Sequence, residues 1–351
     1  VGGTNHTLGN PSRFGVWVEG RFSWISSPEW KKSLRYQDET LVTHVAVTNP
    51  QLCIRLMLND AVDCRENIYL RRIKVKDLSG RSREIRLFIS HDLHLLESKV
   101  GDTAYYDPRT RAIIHYKKAQ YFLINCCHSD GSGGIDQYAV GIQDFRGLEG
   151  TWRDAEDGTL SGDPVADGSV DSTIAIHLNV PAGGEVAAYY WMTVGRKYDE
   201  VTALNRLVID KTPEYFINHT ANYWRLWLRK GLNHEVLDSG KQVAGKYGRL
   251  PDNLVDLYKH SLLILRTQID NGGAIVAAND LDTAEMGMDE YSYMWPRDGA
   301  MIAYALDEAG YAEITERFFR FCANVITSDG YFLHKYNPDR SVGSSWHPWI
   351  V

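Results

Sequence analysis

The feature that most constrains this chain is a change of periodicity near Tyr198. Before it, short runs of β-branched and aromatic residues recur between Gly, Pro, Asn and Asp. After it, apolar residues recur at helical spacing and no strand-like alternation returns. A strand repeats about every two residues and a helix about every 3.6, so one segment cannot serve both patterns. Strands first and helices afterwards mean a β unit followed by an α unit, not an interleaved α/β fold.

The β half is read from its turns. Residues 14–24 form two short runs around Glu19-Gly20, a hairpin signal. Runs at 41–47, 53–58, 68–75 and 83–89 follow, with Asp77-Leu-Ser-Gly80 turning the last two. Further runs lie at 104–106, 112–116, 121–126, 137–140, 172–178 and 185–194. This predicts a large antiparallel β-sandwich over residues 1–197. Residues 147–168 are rich in Asp, Glu and Gly around Trp152 and read as a loop able to reach a neighbouring domain.

The α half starts with helical runs at 200–210 and 212–230. The second carries Tyr215, Trp224, Leu226, Trp227 and Leu228, and Gly231 stands where a C-cap belongs. Residues 198–250 thus read as a helical linker lying across both domains. From Pro251, Leu254, Leu257, Tyr258, Ser261, Leu262, Leu265 and Ile269 mark one helix face, stopped by Asp270-Asn-Gly-Gly273. Residues 274–278 read as a short buried extended run and 279–290 as an acidic loop. Helices are expected at 299–310 and 312–326, the latter presenting Ile314, Phe318, Phe321, Cys322 and Val325. Residues 331–351 read as a long aromatic loop.

Length and charge narrow the functional classes. The 351 residues suffice for two domains, and 44% hydrophobic with 24% charged residues is a soluble globular profile. A net charge of −7 argues against a nucleic-acid partner and an anionic membrane surface. No apolar run is long enough to span a bilayer. Five cysteines, an odd number, match no zinc-ligand spacing, so no metal or cofactor is expected, and a reduced cytoplasmic protein is the simplest reading. Asn5-His-Thr7 and Asn218-His-Thr220 fit the glycosylation pattern, which is frequent by chance.

The stretch with most chemistry is Tyr291-Ser-Tyr-Met-Trp-Pro-Arg-Asp298. Flat rings cover the apolar faces of a sugar, and charged groups bond its hydroxyls with direction. A carboxylate at a helix start is also favoured by the free N–H groups there. Two readings stand: a sugar site, or an N-capping Asp298 paired with Arg297 beside a core aromatic cluster.

This order of parts resembles glycoside hydrolase family 15, which includes glucoamylases, glucodextranases and some trehalases. The likeness runs along the whole chain. Its sharpest parts are Gly273-Ala-Ile-Val-Ala-Ala278, the Tyr291 to Asp298 stretch, and Lys335-Tyr-Asn-Pro-Asp339 followed by Gly343-Ser-Ser-Trp-His-Pro-Trp349. The resemblance implies a β-sandwich, a helical linker and, over 251–351, the start of a truncated (α/α)6 barrel. It places Tyr291 and Trp295 beside the reacting sugar, and Arg297 and Asp298 on the hydroxyls of the terminal glucose. It places Trp346 and Lys335 on a substrate loop, with His347 and Trp349 as framework.

The implied activity is exo-acting release of glucose from an α-linked glucan, or cleavage of trehalose, with inversion. Inversion needs an acid and a base about 6.5–9.5 Å apart. In the resembled family both follow the Trp-His-Pro-Trp segment, so no catalytic carboxylate is expected within this chain and both are expected after Val351. Glu285 and Glu290 precede the sugar-holding motif, and Glu308, Glu313 and Glu316 fall on helical runs. The chain therefore reads as an internal fragment, inactive by itself. The alternative is a non-catalytic, glucan-binding or regulatory protein of the same fold.

Overall fold

Strands Arg13–Val18 (β1) and Arg21–Trp24 (β2) pair across Glu19 and Gly20, whose φ angles are 49° and 80°. Two positive φ angles in a two-residue loop make a type I′ turn, whose twist matches that of the strands it joins. The computed structural model describes residues 6–98, 100–143, 147–231, 251–279 and 291–344. The chain divides into two units, Asn5–Ala221 and Asn222–Val351.

The first unit continues through β3 (Lys31–Tyr36), β4 (Thr43–Asn49), β5 (Ile54–Val62), β6 (Ile68–Asp77), β7 (Arg83–Asp92) and β8 (Asp102–Asp107). Then come β9 (Ala112–Lys117), β10 (Gln120–His128), β11 (Gln137–Ile142), β12 (Val165–Gly168), β13 (Val170–Val180) and β14 (Glu185–Gly195). They form a five-stranded sheet, β11-β13-β7-β1-β2, and a nine-stranded sheet, β12-β8-β9-β10-β14-β6-β5-β4-β3. Val16, Ile85, Leu87, Ile174 and Ile176 of the first sheet share one buried cluster with Leu56, Ile73, Val75, Ile113 and Ile124 of the second. The two large antiparallel sheets are thus held face to face by apolar burial, as the alternating runs predict. Helix Tyr198–Lys211 (α1) lies on the nine-stranded sheet. Its Val201 packs with Ala112, Ile114 and Leu123, and its Asn205 Oδ1 accepts Trp191 Nε1–H at 2.9 Å.

The segment read as a free loop is folded onto its own unit. Ala155 and Leu160 bury against Phe88, Ala139 and Ala175. The Trp152 ring is half-buried, with the guanidinium groups of Arg13 and Arg153 4.4 and 4.2 Å from its centroid. Val165–Gly168 closes the segment as an edge strand on β8. Strand β3 was not foreseen. All its residues are exposed, so no buried alternation marks it.

Helix Pro213–Lys230 (α2) contains the boundary between the units. The second unit adds Asp252–Thr267 (α3), Pro296–Glu308 (α4), Ala312–Val325 (α5) and a small pair, β15 (Lys335–Tyr336) with β16 (Val342–Ser344). Trp227 stacks on Tyr311 at 4.2 Å and donates to the Leu262 carbonyl at 3.1 Å. Gly231 does not take the left-handed cap conformation expected of it; a Cβ there would lie 2.8 Å from the Ala309 carbonyl oxygen, so close approach is what requires glycine. Gly299 plays the same part between α4 and α5, where a Cβ would lie 2.5 Å from the Phe318 ring.

Three further expectations change here. Helix α4 begins at Pro296, not Gly299, because proline at the first helical position has no N–H to leave unpaired. The residues from 331 onward include the β15–β16 pair, not only loop. On α3, Leu262 and Leu263 are buried while Leu254 and Leu257 stay exposed, because the neighbours it has, Trp227 among them, meet its later turns. The face predicted for α5 does bury Ile314, Phe318, Phe321 and Cys322. Among the described residues, no helix is long and apolar enough to cross a membrane.

Leu254, Leu257 and Ile264 on α3, Met301 and Tyr304 on α4, and Phe319 on α5 are exposed. Exposed apolar side chains such as these are where a hydrophobic dye binds. The 1–351 chain should therefore enhance the fluorescence of a hydrophobic dye, and Leu257→Glu combined with Met301→Glu should reduce that signal. Dye response at the level of the double variant from the start would contradict this.

A polar cluster inside the sheets sets the acid response. His91 meets Ser172 Oγ at 3.2 Å and Tyr190 Oη at 2.9 Å, and His115 meets the same Ser172 Oγ at 2.7 Å. Burial pushes His91 down to about 3 and His115 down to about 4, while burial pushes Asp171 up to about 7. Near pH 5 the unfolded chain carries protons on both histidines, whereas the folded chain carries one of the three, on Asp171. The unfolded state then binds one more proton, so stability rises with pH by about 1.4 kcal/mol per unit between about 4 and 6. Asp171→Asn removes the opposing contribution and should roughly double that slope in urea melts across pH. A slope unchanged by Asp171→Asn would refute the assignment.

Candidate functional site

The three motifs spread over residues 273–344 meet through backbone pairing. Gly273 turns the chain with φ 98°, and a Cβ there would lie 2.4 Å from the Arg317 carbonyl oxygen, so only glycine fits. The run that follows buries Ala274, Ile275 and Val276, as expected. Ile275 bridges back to Ile269. Ala277 N–H then donates to Tyr293 O at 3.0 Å and Ala278 N–H to Tyr291 O at 3.2 Å. Met294 and Tyr336 exchange both backbone hydrogen bonds at 2.9 Å. One strip of paired backbone thus carries residues 274–278, 291–294 and 335–344.

That strip assembles an aromatic surface. Tyr291 and Trp295 have centroids 5.8 Å apart and tilted by 36°; Tyr293 meets Trp295 edge-on at 5.8 Å. His334 also meets Trp295 edge-on, at 6.3 Å. Lys335 is 7% exposed, with Nζ 4.0 Å from the Tyr293 centroid and 5.4 Å from that of Trp295. A desolvated ammonium against two ring faces is a cation–π contact of the stronger kind. Tyr291, by contrast, is 54% exposed and offers its ring outward.

Arg297 and Asp298 follow in the first turn of α4. Asp298 is the third helical residue, not the N-cap, which is Trp295. A carboxylate there still faces the free N–H groups of the helix start. Arg297 Nη2 lies 3.1 Å from Asp298 Oδ2, and the side chains are 61% and 35% exposed. The structure therefore brings Tyr291, Trp295, Arg297, Asp298 and Lys335 into one neighbourhood. Trp346, His347 and Trp349 lie outside the described residues, as do Glu285 and Glu290. Glu308 and Glu316 lie on α4 and α5, with Glu316 paired to Arg320 at 2.6 Å; Glu313, also on α5, pairs with Lys230.

Sequence reading missed two participants. Tyr293 is the ring that covers Lys335. Gly343 is what lets it lie there, since a Cβ at 343 would sit 2.7 Å from Tyr293 Cδ1 and 3.2 Å from Lys335 Cγ. The glycine was visible in its motif, but its partner lies far away in sequence. An outward ring beside an arginine and a carboxylate is chemically fitted to a polyhydroxylated ligand, which presents apolar faces and donor–acceptor edges together.

Comparison with known proteins gives the fold a context. No family model matches the chain. Over 320 residues it is 23% identical to an uncharacterized glycosyl hydrolase of Methanocaldococcus jannaschii, covering 90% of this chain and 48% of the relative. Its structure is similar to a bacterial glucoamylase solved in complex with acarbose, with a TM-score of 0.73, 15% identity, and coverage of 96% of this chain and 49% of that one. It is also similar to a protein named as a kojibiose phosphorylase from the human microbiome, with a TM-score of 0.58, 8% identity, and coverage of 95% and 43%. The chain spans about half the length of these relatives. The fold is glycoside hydrolase-like.

Gly343→Ala should destabilise the second unit by about 1–3 kcal/mol, the usual cost of overfilling a packed position. Tyr293→Ala in the same chain should recover part of that loss, because the clash is with that ring. Denaturant melts of the four chains of this cycle check it; strict additivity would sink the contact.

Proposed function

We propose that this chain belongs to a glycoside hydrolase that releases glucose from the non-reducing end of an α-linked glucan or oligosaccharide, with inversion. The observation that carries the reading is the succession of Tyr291 on the paired strip, Trp295 at its end, and Arg297 and Asp298 in the first turn of α4, within a glucoamylase-like fold. In this reading Tyr291 and Trp295 wall the first sugar, Arg297 and Asp298 hold its hydroxyls, and Trp346 extends the wall. Lys335 supports the wall from beneath, since its buried ammonium lies against the rings. The acid and base lie in sequence beyond Val351. Residues 1–197 form the sandwich, 198–250 the linker, and 251–351 the first part of an (α/α)6 barrel. The exposed stripes on α3 and α4 support this, because further barrel helices would cover them. The odd cysteine count keeps the cytoplasm as the proposed setting.

A second chemistry has its own support. The fold is also similar to a protein named as a phosphorylase, and attack by phosphate in place of water would need the same hold on the sugar. The test is a chain extended past Val351 to the length of its relatives. It is offered α-1,4- and α-1,6-linked oligosaccharides and trehalose, with and without phosphate. Phosphate-independent release of the inverted glucose is expected. Strict phosphate dependence selects phosphorolysis, and binding without turnover selects the regulatory alternative.

Within that chain, Arg297→Ala or Asp298→Asn should lower kcat/KM by roughly a hundredfold or more, because each removes a charge-assisted bond to the reacting sugar. Trp346→Ala should raise KM more than it lowers kcat, since a stacking wall holds ground and transition state alike. The 1–351 chain should release no glucose. Near-normal turnover in Asp298→Asn would remove the role given to this stretch.

A further inference from the structure

A second cluster of reactive side chains lies in the first unit and shares no residue with the candidate sugar site. Asp63 and Cys64 open the loop between β5 and β6, and His219 stands on α2. Asp63 Oδ1 accepts the backbone N–H groups of Arg65 at 3.0 Å and Glu66 at 2.9 Å, which fixes the carboxylate. Its other oxygen, Oδ2, points at His219 Nδ1 from 3.1 Å, with Thr220 Oγ1 at 3.5 Å. Cys64 Sγ lies 3.9 Å from the same His219 Nδ1. The sulfur, the nitrogen and a carboxylate oxygen all fall within 4.8 Å of one another. The imidazole plane is set by stacking on Tyr215, 5.7 Å away and nearly parallel.

The nitrogen that both acidic groups approach decides between chemistries. A nucleophilic relay needs the thiol on one imidazole nitrogen and the carboxylate on the other. Here both converge on Nδ1, which has a single in-plane lone pair or hydrogen and serves one partner at a time. A carboxylate, a thiol and an imidazole nitrogen gathered within 4.8 Å are instead the donor set of a cation site. Bonds of about 2.0–2.3 Å to N, O and S place tetrahedral zinc ligands about 3.3–3.7 Å apart, and the distances of 3.1 and 3.9 Å bracket that spacing. A thiolate and an imidazole exclude magnesium and calcium, which take oxygen donors. The carboxylate and thiolate together balance a divalent charge. The Asp63 side chain is 1% exposed and that of His219 28%, so the site has a rigid floor and an open rim.

We propose that Asp63, Cys64 and His219 form a zinc-type divalent cation site that clasps the β5–β6 loop to α2, with solvent completing the coordination. Zinc-ligand spacing in the sequence cannot reveal it, because the histidine is 155 residues from the cysteine.

The test uses the 1–351 chain after chelator treatment and dialysis. Cobalt(II) should bind at one equivalent with a thiolate-to-metal charge-transfer band, and zinc should displace it. Cys64→Ser should abolish the band, and His219→Gln or Asp63→Asn should weaken binding at least tenfold, the scale on which even supporting groups act. Asp63→Asn keeps the carbonyl that holds the loop. On the unmutated chain, one equivalent of zinc should protect Cys64 from iodoacetamide while leaving Cys53 as reactive as before, read by mass spectrometry. A band that survives Cys64→Ser, or equal alkylation of Cys64 with and without zinc, overturns the proposal whether or not the variants fold.

Discussion

Buried backbone that belongs to neither helix nor extended sheet must still find hydrogen-bond partners, and that constraint organises the second unit. Ala274, Ile275, Met294 and Tyr336 are all buried, and of the four only Tyr336 lies in a strand, in the two-stranded β15–β16 pair. Unpaired, each of their polar groups would cost the desolvation penalty of an orphan donor or acceptor. The chain meets this by lending segments to one another: 268–269 to 274–276, 277–278 to 291–293, and Met294 to Tyr336. The aromatic surface is a consequence. Once Met294 is registered against Tyr336, Trp295 and Lys335 are neighbours whatever else the sequence does.

The sandwich solves a different problem with a similar economy. Asp77, at the end of β6, accepts from Ser79 and Gly80 in its own turn, from Gly183 in the turn before β14, and from Arg83 Nε at 2.8 Å. These donors outweigh the burial that would raise it and hold the carboxyl well below the usual range. One charged side chain thus fastens two neighbouring turns, β6 to β7 and β13 to β14, each of which carries the chain from one sheet to the other. The turns can be short because their free N–H groups end on that carboxylate.

Legibility in the sequence followed the range of the interaction. The Glu19-Gly20 hairpin was readable because turn chemistry is local, and the α5 face because helical period is local. The YSYMWPRD stretch was readable as chemistry because it is contiguous. Strand β3 was not, since an edge strand whose residues are all exposed, Leu34 and Tyr36 included, carries no burial pattern. The folding-back of residues 150–168 was not, since Ala155 and Leu160 are isolated apolar residues in a polar run and its other contacts, such as Thr151 with Asp171, join residues far apart in sequence. Gly343 against Tyr293, and Asp63 with Cys64 against His219, were not, because no local rule links residues so far apart.

The Arg297–Asp298 pair shows why the candidate site is placed at a helix start. An ion pair this exposed contributes little to folding, on the order of 0–1 kcal/mol, so stability does not account for it. Asp298 is favoured in the first turn by the helix dipole without help from Arg297. Each group can therefore turn its hydrogen bonds toward a bound ligand at small cost to the fold. The aromatic wall beside them differs. Its Tyr293 and Trp295 rings are fixed by a buried lysine, and Tyr293 also by the missing Cβ at Gly343, neither of which a ligand could replace. Rigid rings with adaptable charges are what the proposed sugar site would need, to hold one sugar face firmly while the polarity at its edge changes during reaction.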